Sequence, residues 1–315
     1  MINKSIKIFK VLLNQSYRNL LQDDINLKLS IQSENLIKRI SELEFIVNES
    51  QKSIHELELR TPNVIELDKI IEPILYEIRE LVRPQKYRIA NLEFFGNEFD
   101  GGYFISTKLS KKINLISIGI GDNYSFDFEV AKRGGTVHMY DGTIKRIQSL
   151  PENMIFVEKN VGNNVNTNEI ELTLVVKRFI ESLTSSDAVN AIKIDIEGNE
   201  WKILDKFDFN NLKKFNTLIV EFHDINENLK NRDQQKKMID VFRNINNYFV
   251  PIYFCPNNWS QVIRSGQQLI PNVFEIVYIN RDQYVDEHIP AHESADNYYK
   301  PKNNPFRPSL GKFFI

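Results

Sequence analysis

The stretch that most limits what this chain can become runs from Leu115 to Asp141, LISIGIGDNYSFDFEVAKRGGTVHMYD. It opens inside an apolar run, Ile113 to Ile118, that is too short for a helix and rich in β-branched residues, the pattern of a buried parallel strand. Gly119 and Gly121 follow at once, with Asp122 behind them. Ser125 is placed to cap a helix reaching about Arg133, and Gly134–Gly135 stop it. A second apolar run, Thr136 to Tyr140, ends in Asp141. Strand, glycine turn, helix, strand and acid make a unit suited to a nucleoside. The glycines let backbone approach a ligand, and a carboxylate at the second strand tip can accept hydrogen bonds from ribose hydroxyls. By itself the turn also fits an ordinary tight strand-to-helix connection.

The turn departs from the dinucleotide fingerprint. Tyr124 stands where GxGxxG requires its third glycine, and Asp122 and Asp127 would repel a pyrophosphate at the helix start. Acids around a glycine turn suit a cationic nucleoside such as S-adenosylmethionine. A nicotinamide-dependent oxidoreductase is therefore the weaker enzyme reading. A near-balanced charge of −2 argues against a dedicated nucleic-acid partner. The single cysteine, Cys255, rules out an intrachain disulfide and a cysteine zinc cluster, and fits a reducing, cytoplasmic setting. No apolar run is long enough to span a bilayer.

Residues 1–85 read as a separate helical arm. No glycine occurs before Arg83, and Leu29, Leu36, Ile40, Leu43, Val47, Ile54 and Leu57 form a heptad seam broken by Ser33 and Ser50. The seam predicts either a short coiled coil over 29–57 that pairs two copies or tethers the protein, or an arm folded onto its own body. Within 1–20, Lys4, Lys7, Lys10 and Arg18 lie opposite an apolar face of Ile2, Ile6, Phe9 and Leu13. This face fits either peripheral contact with an anionic membrane or ordinary packing. Thr61–Pro62 is expected to start a helix ending near Val82, with a kink or break at Pro73. The domain boundary is expected near Lys86, with a main domain over 86–282 and an extended tail, 283–315, wrapped over it.

Further acids and polar groups recur at strand ends. Asp100–Gly101–Gly102 precede a strand from Tyr103, either as a plain hairpin turn or as a loop over the ligand site. Asn160 follows the third strand. Asp195 ends the strand Ile192–Ile196, with Glu197, Gly198 and Glu200 turning into a helix; Asp195 and Glu197 could serve as its caps. Glu221, His223 and Asp224 end the strand Leu218–Val220. His223 is a candidate general base. Asp195, Glu221 and His223 are candidate ligands for a divalent cation such as Mg²⁺ or Mn²⁺. Asn257 and Asn258 are turn formers that could also meet a polar substrate.

DGGY at 100–103, SIGIGDNYSFD at 117–127, VHMYDGT at 137–143, KIDIEGNEW at 193–201, EFHD at 221–224 and PNVFEIVYINRD at 271–282 occur in this order. Together they resemble the FkbM-type methyltransferases, over roughly residues 91–282. The resemblance implies a Rossmann-like class I methyltransferase fold: a seven-stranded, mostly parallel sheet with a terminal antiparallel strand. It implies S-adenosylmethionine-dependent methyl transfer to a hydroxyl, often of a sugar or polyketide, and glycan modification as the leading expectation. By position, Gly119, Gly121 and Asp122 would cradle the methionine part, Asp141 would bind ribose, and Asp195 would lie beside the sulfonium and acceptor. Glu221 and His223 would face the acceptor. Ser117 replaces the acid often found before the glycine turn, so contact to the methionine amine is expected from Asp195 or the Asp100–Gly101–Gly102 loop. A non-catalytic coiled-coil scaffold carrying a degenerate domain is the other class that remains.

Overall fold

A computed structural model describes residues 63–283 apart from 86–91, 99, 108–109, 111, 146, 148, 164–167 and 184–187. It also describes twelve helical residues between Gln15 and Val47. The chain divides into two compact units, 1–59 and 60–315. The basic segment 1–20, apart from helical Gln15, and the tail beyond Gln283 lie outside the described residues.

The second unit is built on a seven-stranded sheet. In chain order its strands are β1 (Ile113–Ile118), β2 (Val137–Tyr140), β3 (Met154–Val157), β4 (Val189–Ile194), β5 (Thr217–Phe222), β6 (Phe249–Pro256) and β7 (Phe274–Asn280). Their order across the sheet is β6-β7-β5-β4-β1-β2-β3. β1, β2, β3, β4 and β5 pair in parallel, and β7 runs antiparallel between β5 and β6. This is the architecture the resemblance implies. β1, β2, β5 and β7 are buried along their whole length, as expected of strands covered on both faces. One core layer gathers Phe179, Leu204, Phe222, Phe242 and Phe274; the other gathers Phe95, Tyr103, Phe126 and Val130.

Reversal of strand order between β4 and β1 opens a crevice at their carboxyl ends, and ligands of open α/β sheets bind in such a crevice. The glycine turn after β1 and the turn after β4 both open into it. Gly119 has φ of 74°, and a Cβ there would lie 1.6 Å from the carbonyl oxygen of Asp195. Only glycine lets these two turns pass so closely.

Several elements differ from the sequence expectation. Val64–Glu66 is a strand, paired in parallel with Val262–Ser265, which pairs in turn with Gln268–Pro271. The helix begins at Glu72, and Pro73 sits in its first turn, where its missing N–H costs nothing. That helix buries Leu75, Ile78 and Val82 in the main core. The divide between units therefore falls at Leu59/Arg60 rather than near Lys86, because 64–82 carries core and sheet contacts of the second unit. The helix Ser125–Lys132 has no side-chain cap; Ser125 Oγ instead accepts from Asn97 N–H at 3.0 Å. Leu92–Phe95 and Tyr103–Ser106 form an antiparallel hairpin.

Candidate active site

The crevice encloses a cavity of about 1100 Å³. Its lining includes Asp100, Gly101, Gly119, Gly121, Asp122, Asp141, Asn160, Asp195, Glu221 and His223, so sequence candidates drawn from six separate segments converge on one space. Gly102 is not part of the lining: a Cβ there would strike Asn97 O and the Phe94 ring, so this glycine serves packing of the hairpin.

At one end stands the glycine turn. Asp141 is nearly buried, at the tip of β2. Its Oδ2 accepts from the N–H groups of Ile120 (2.9 Å) and Gly121 (3.0 Å). Its Oδ1 accepts from Thr143 N–H (2.7 Å) and the Thr143 hydroxyl (2.6 Å). Burial alone would raise its pKa, but the bonds from Thr143, Ile120 and Gly121 outweigh it and hold the carboxyl below its usual range. A carboxylate offers about four acceptor sites, and Asp141 has all four engaged. In this structure it fastens the glycine turn. Asn160 Oδ1 similarly accepts from Gly142 N–H at 3.0 Å.

At the other end is a buried ionic cluster. Asp195 Oδ2 accepts from the Tyr103 hydroxyl at 2.7 Å and lies 3.2 Å from Lys193 Nζ. Lys193 also donates to Gly119 O and sits over the Tyr103 ring. It thereby ties the two crossing turns together by charge. Burial pushes the Asp195 pKa up, but Lys193, His223 and the Tyr103 hydrogen bond prevail and hold it low. Asp127, on the helix behind the glycine turn, is also buried and moves the other way: burial lifts it to about 6 against the pull of Lys193.

His223 is held from two sides. Its Nδ1 is 3.1 Å from Oε1 of Glu200, a fully buried carboxylate. Its Nε2 is 3.5 Å from Glu197 Oε2 and 3.9 Å from Asp195 Oδ1. Burial disfavours the imidazolium, yet the hydrogen bond and charge of Glu200, with Glu221 and Asp195, raise the His223 pKa to about 10. The ring therefore carries its proton at neutral pH. Glu197, although its side chain is 87% exposed, is raised by partial desolvation at the crevice mouth and then by the neighbouring acids, with His223 opposing. Glu197 and Asp224 both adopt left-handed backbone, with φ of 53° and 57°, and Gly198 between them has φ of 98°. Strain gathered beside a ligand cavity is characteristic of functional turns.

Asp195 and Glu197 do not cap the following helix. That helix, Glu200–Asp205, has no side-chain cap; Glu200, its first residue, instead accepts from the N–H groups of Ile196 and Gly198 and so fixes the turn before it. Nor does the expected cation trio form as read. The atoms that lie within 4.8 Å of one another belong to Asp195, Glu197 and His223. Glu221 instead accepts from Asn257 Nδ2 at 2.7 Å. Asn257 also sets a turn that presents Trp259, 55% exposed, to the same cavity. Tyr103, Lys193, Glu197, Glu200 and Trp259 are not among the site residues the sequence singles out. Their clearest signal is proximity to motifs: Tyr103 closes DGGY, and the other acids and Lys193 lie within KIDIEGNEW.

The sheet order and the cavity at its switch point define a class I methyltransferase fold. Residues 97–249 match the family model described as the methyltransferase FkbM domain. Among solved structures, the Methanococcus jannaschii fibrillarin pre-rRNA processing protein aligns at 12% identity, over 55% of this chain and 68% of that one, with a TM-score of 0.31. A fibrillarin/Nop5p complex aligns at 9% identity, over 62% of this chain and 100% of that one, with a TM-score of 0.33. No curated protein matches the sequence. Among the described residues, no helix is long and apolar enough to cross a membrane.

Proposed function

We propose that this protein transfers a methyl group from S-adenosylmethionine to a hydroxyl of a sugar-like acceptor. The observation that carries the reading is one cavity with a glycine turn at one end and an ordered ionic cluster with an exposed tryptophan at the other. Its charge suits the cofactor: seven carboxylates line it against two lysines and His223, an excess that favours a sulfonium cation. Its volume suits a nucleoside and a small acceptor together. Gly119, Gly121, Asp122, Asp141 and Asn160 would hold the nucleoside and methionine parts. Because Asp141 is saturated, a ribose would take over the acceptor sites that Thr143 now fills.

S-adenosylmethionine supplies an electrophilic methyl group, so an O–CH₃ bond forms as the S–CH₃ bond breaks. What the chain supplies is positioning and a destination for the proton. Trp259 offers an apolar face on which a sugar ring can stack, on a turn that Asn257 fastens to Glu221. His223, already protonated, holds Asp195 and Glu197 in place rather than drawing a proton from the acceptor. As the acceptor oxygen gains its methyl group its proton becomes strongly acidic, and a carboxylate is then a competent acceptor. Glu197, with its raised pKa, is better suited to this than Asp195. A divalent cation such as Mn²⁺ or Mg²⁺ would find two carboxylates, Asp195 and Glu197, and would have to displace the His223 Nε2 proton to gain an imidazole ligand; bound there, it would lower the acceptor hydroxyl's pKa.

Calorimetric titration with S-adenosylhomocysteine, with and without Mn²⁺, tests the reading on the wild type and Asp141→Ala. Micromolar binding that the variant loses supports it. Absence of binding under every condition returns the chain to the scaffold reading. Reduction of neither nicotinamide cofactor is expected in a 340 nm absorbance assay.

A further inference from the structure

The helix of the first unit exposes a row of large apolar side chains. Leu36, Ile40, Leu43 and Val47 are 62%, 47%, 56% and 52% exposed, and Ile46 beside them 57%. Spaced four, three and four residues apart, the first four lie on one face of the helix. Such a face is costly to leave in water. We infer that it is covered by the same face of a second copy of this chain, in a parallel, in-register two-stranded coiled coil.

The heptad chemistry selects that occupant. In the register set by the described residues, Ile40 and Val47, followed in sequence by Ile54, take one core position. Leu36 and Leu43, with Leu29 and Leu57 in sequence, take the other. β-branched residues at the first position and leucine at the second are the combination that favours two parallel strands. The flanks agree. Arg39 immediately precedes the Ile40 layer, and Glu44 immediately follows the Leu43 layer. In a parallel, in-register pair these positions meet across the interface with opposite charge. An antiparallel pair would bring like positions together and lose that match. Ser33 and Ser50 interrupt the seam, so the association is weak enough to depend on concentration.

Single cysteines introduced into the full-length chain, in a Cys255→Ser background, test both orientation and register. Leu43→Cys should oxidise to a covalent dimer, because its partner across a parallel, in-register seam is itself. Lys38→Cys, on the opposite face, should not. Light scattering on the wild type should give twice the chain mass at tens of micromolar, falling on dilution. Arg39→Glu should weaken association several-fold, and Arg39→Glu with Glu44→Arg should restore it. A single-chain mass at every concentration would overturn the inference and leave the seam to the chain's own body or another partner. Equal cross-linking at positions 38 and 43 would overturn the parallel register.

Discussion

Replacing Glu200 by Gln removes one buried charge while nearly preserving the side chain's shape. Glu200 is fully buried, and the imidazole of His223 leans on it at 3.1 Å. In the folded protein His223 titrates at about 10, against an ordinary value of 6.5. Because the folded value is the higher one, this interaction stabilises the protein fully below about pH 6.5. The contribution fades as pH climbs towards 10. Burial works against the shift, and Glu200 is the leading influence among those that raise it. A hydrogen bond to a charged group contributes roughly 1.5–3 kcal/mol. Glu200→Gln should therefore cost about 2–3 kcal/mol at pH 6, or roughly 4–12 °C in Tm for a unit of this size. The cost should shrink at pH 9.5, where His223 is losing its proton in the wild type as well. Urea unfolding at the two pH values measures the difference, and proton NMR of the histidine ring follows the titration directly. An equal loss at both pH values would refute the reasoning, as would a wild-type His223 that titrates near 6.5.

Trp259→Ala should raise the acceptor KM at least tenfold while S-adenosylhomocysteine affinity holds; Trp259→Phe should retain most of the effect of the wild-type ring. Steady-state kinetics beside calorimetry separates the two. If Glu197 receives the proton, the rate should follow a single carboxylate titration lying above the ordinary glutamate range and then stay level, whereas a His223 base would make it climb towards pH 10; a pH–rate profile decides, and Glu197→Gln should lower turnover by roughly 10²-fold. Thr143→Val removes one of the two donors on Asp141 Oδ1 and should leave cofactor affinity unchanged or tighter if ribose replaces Thr143 there, by calorimetry. Gly119→Ala should abolish cofactor binding and lower Tm, since its Cβ meets the Asp195 carbonyl.

The central sheet was legible because its strands are uniformly apolar and end in polar turns, a signal carried within six or seven consecutive residues. The convergence of Gly119, Asp141, Asp195, Glu221 and His223 followed from the rule that parallel strands open at their carboxyl ends. Partner choice within the cluster was not legible. Whether Glu197, Glu200 or Glu221 meets His223 depends on the left-handed backbone at Glu197 and Gly198, and on Asn257, which claims Glu221 from 36 residues further along the chain. Asp141 looked like a free ribose acceptor because its four donors lie in loops without periodicity. Val64–Glu66 was hidden for a related reason: its pairing partner, Val262–Ser265, lies almost two hundred residues away.

That remote pairing has a genetic consequence. The segment matching the FkbM domain stops at residue 249, before the turn that holds Asn257 and Trp259. Beyond the turn, Val262 N–H donates to Asn63 O and Leu67 N–H to Arg264 O, so sequence from before the matched segment is fastened to the strand that follows the cavity-lining Asn257–Trp259 turn. Under the proposed function, altering these flanks would change the acceptor while leaving the glycine-turn end of the cavity as it is. Substitutions near residues 63–67, far in sequence from any catalytic motif, should then surface in selection experiments as changes of substrate.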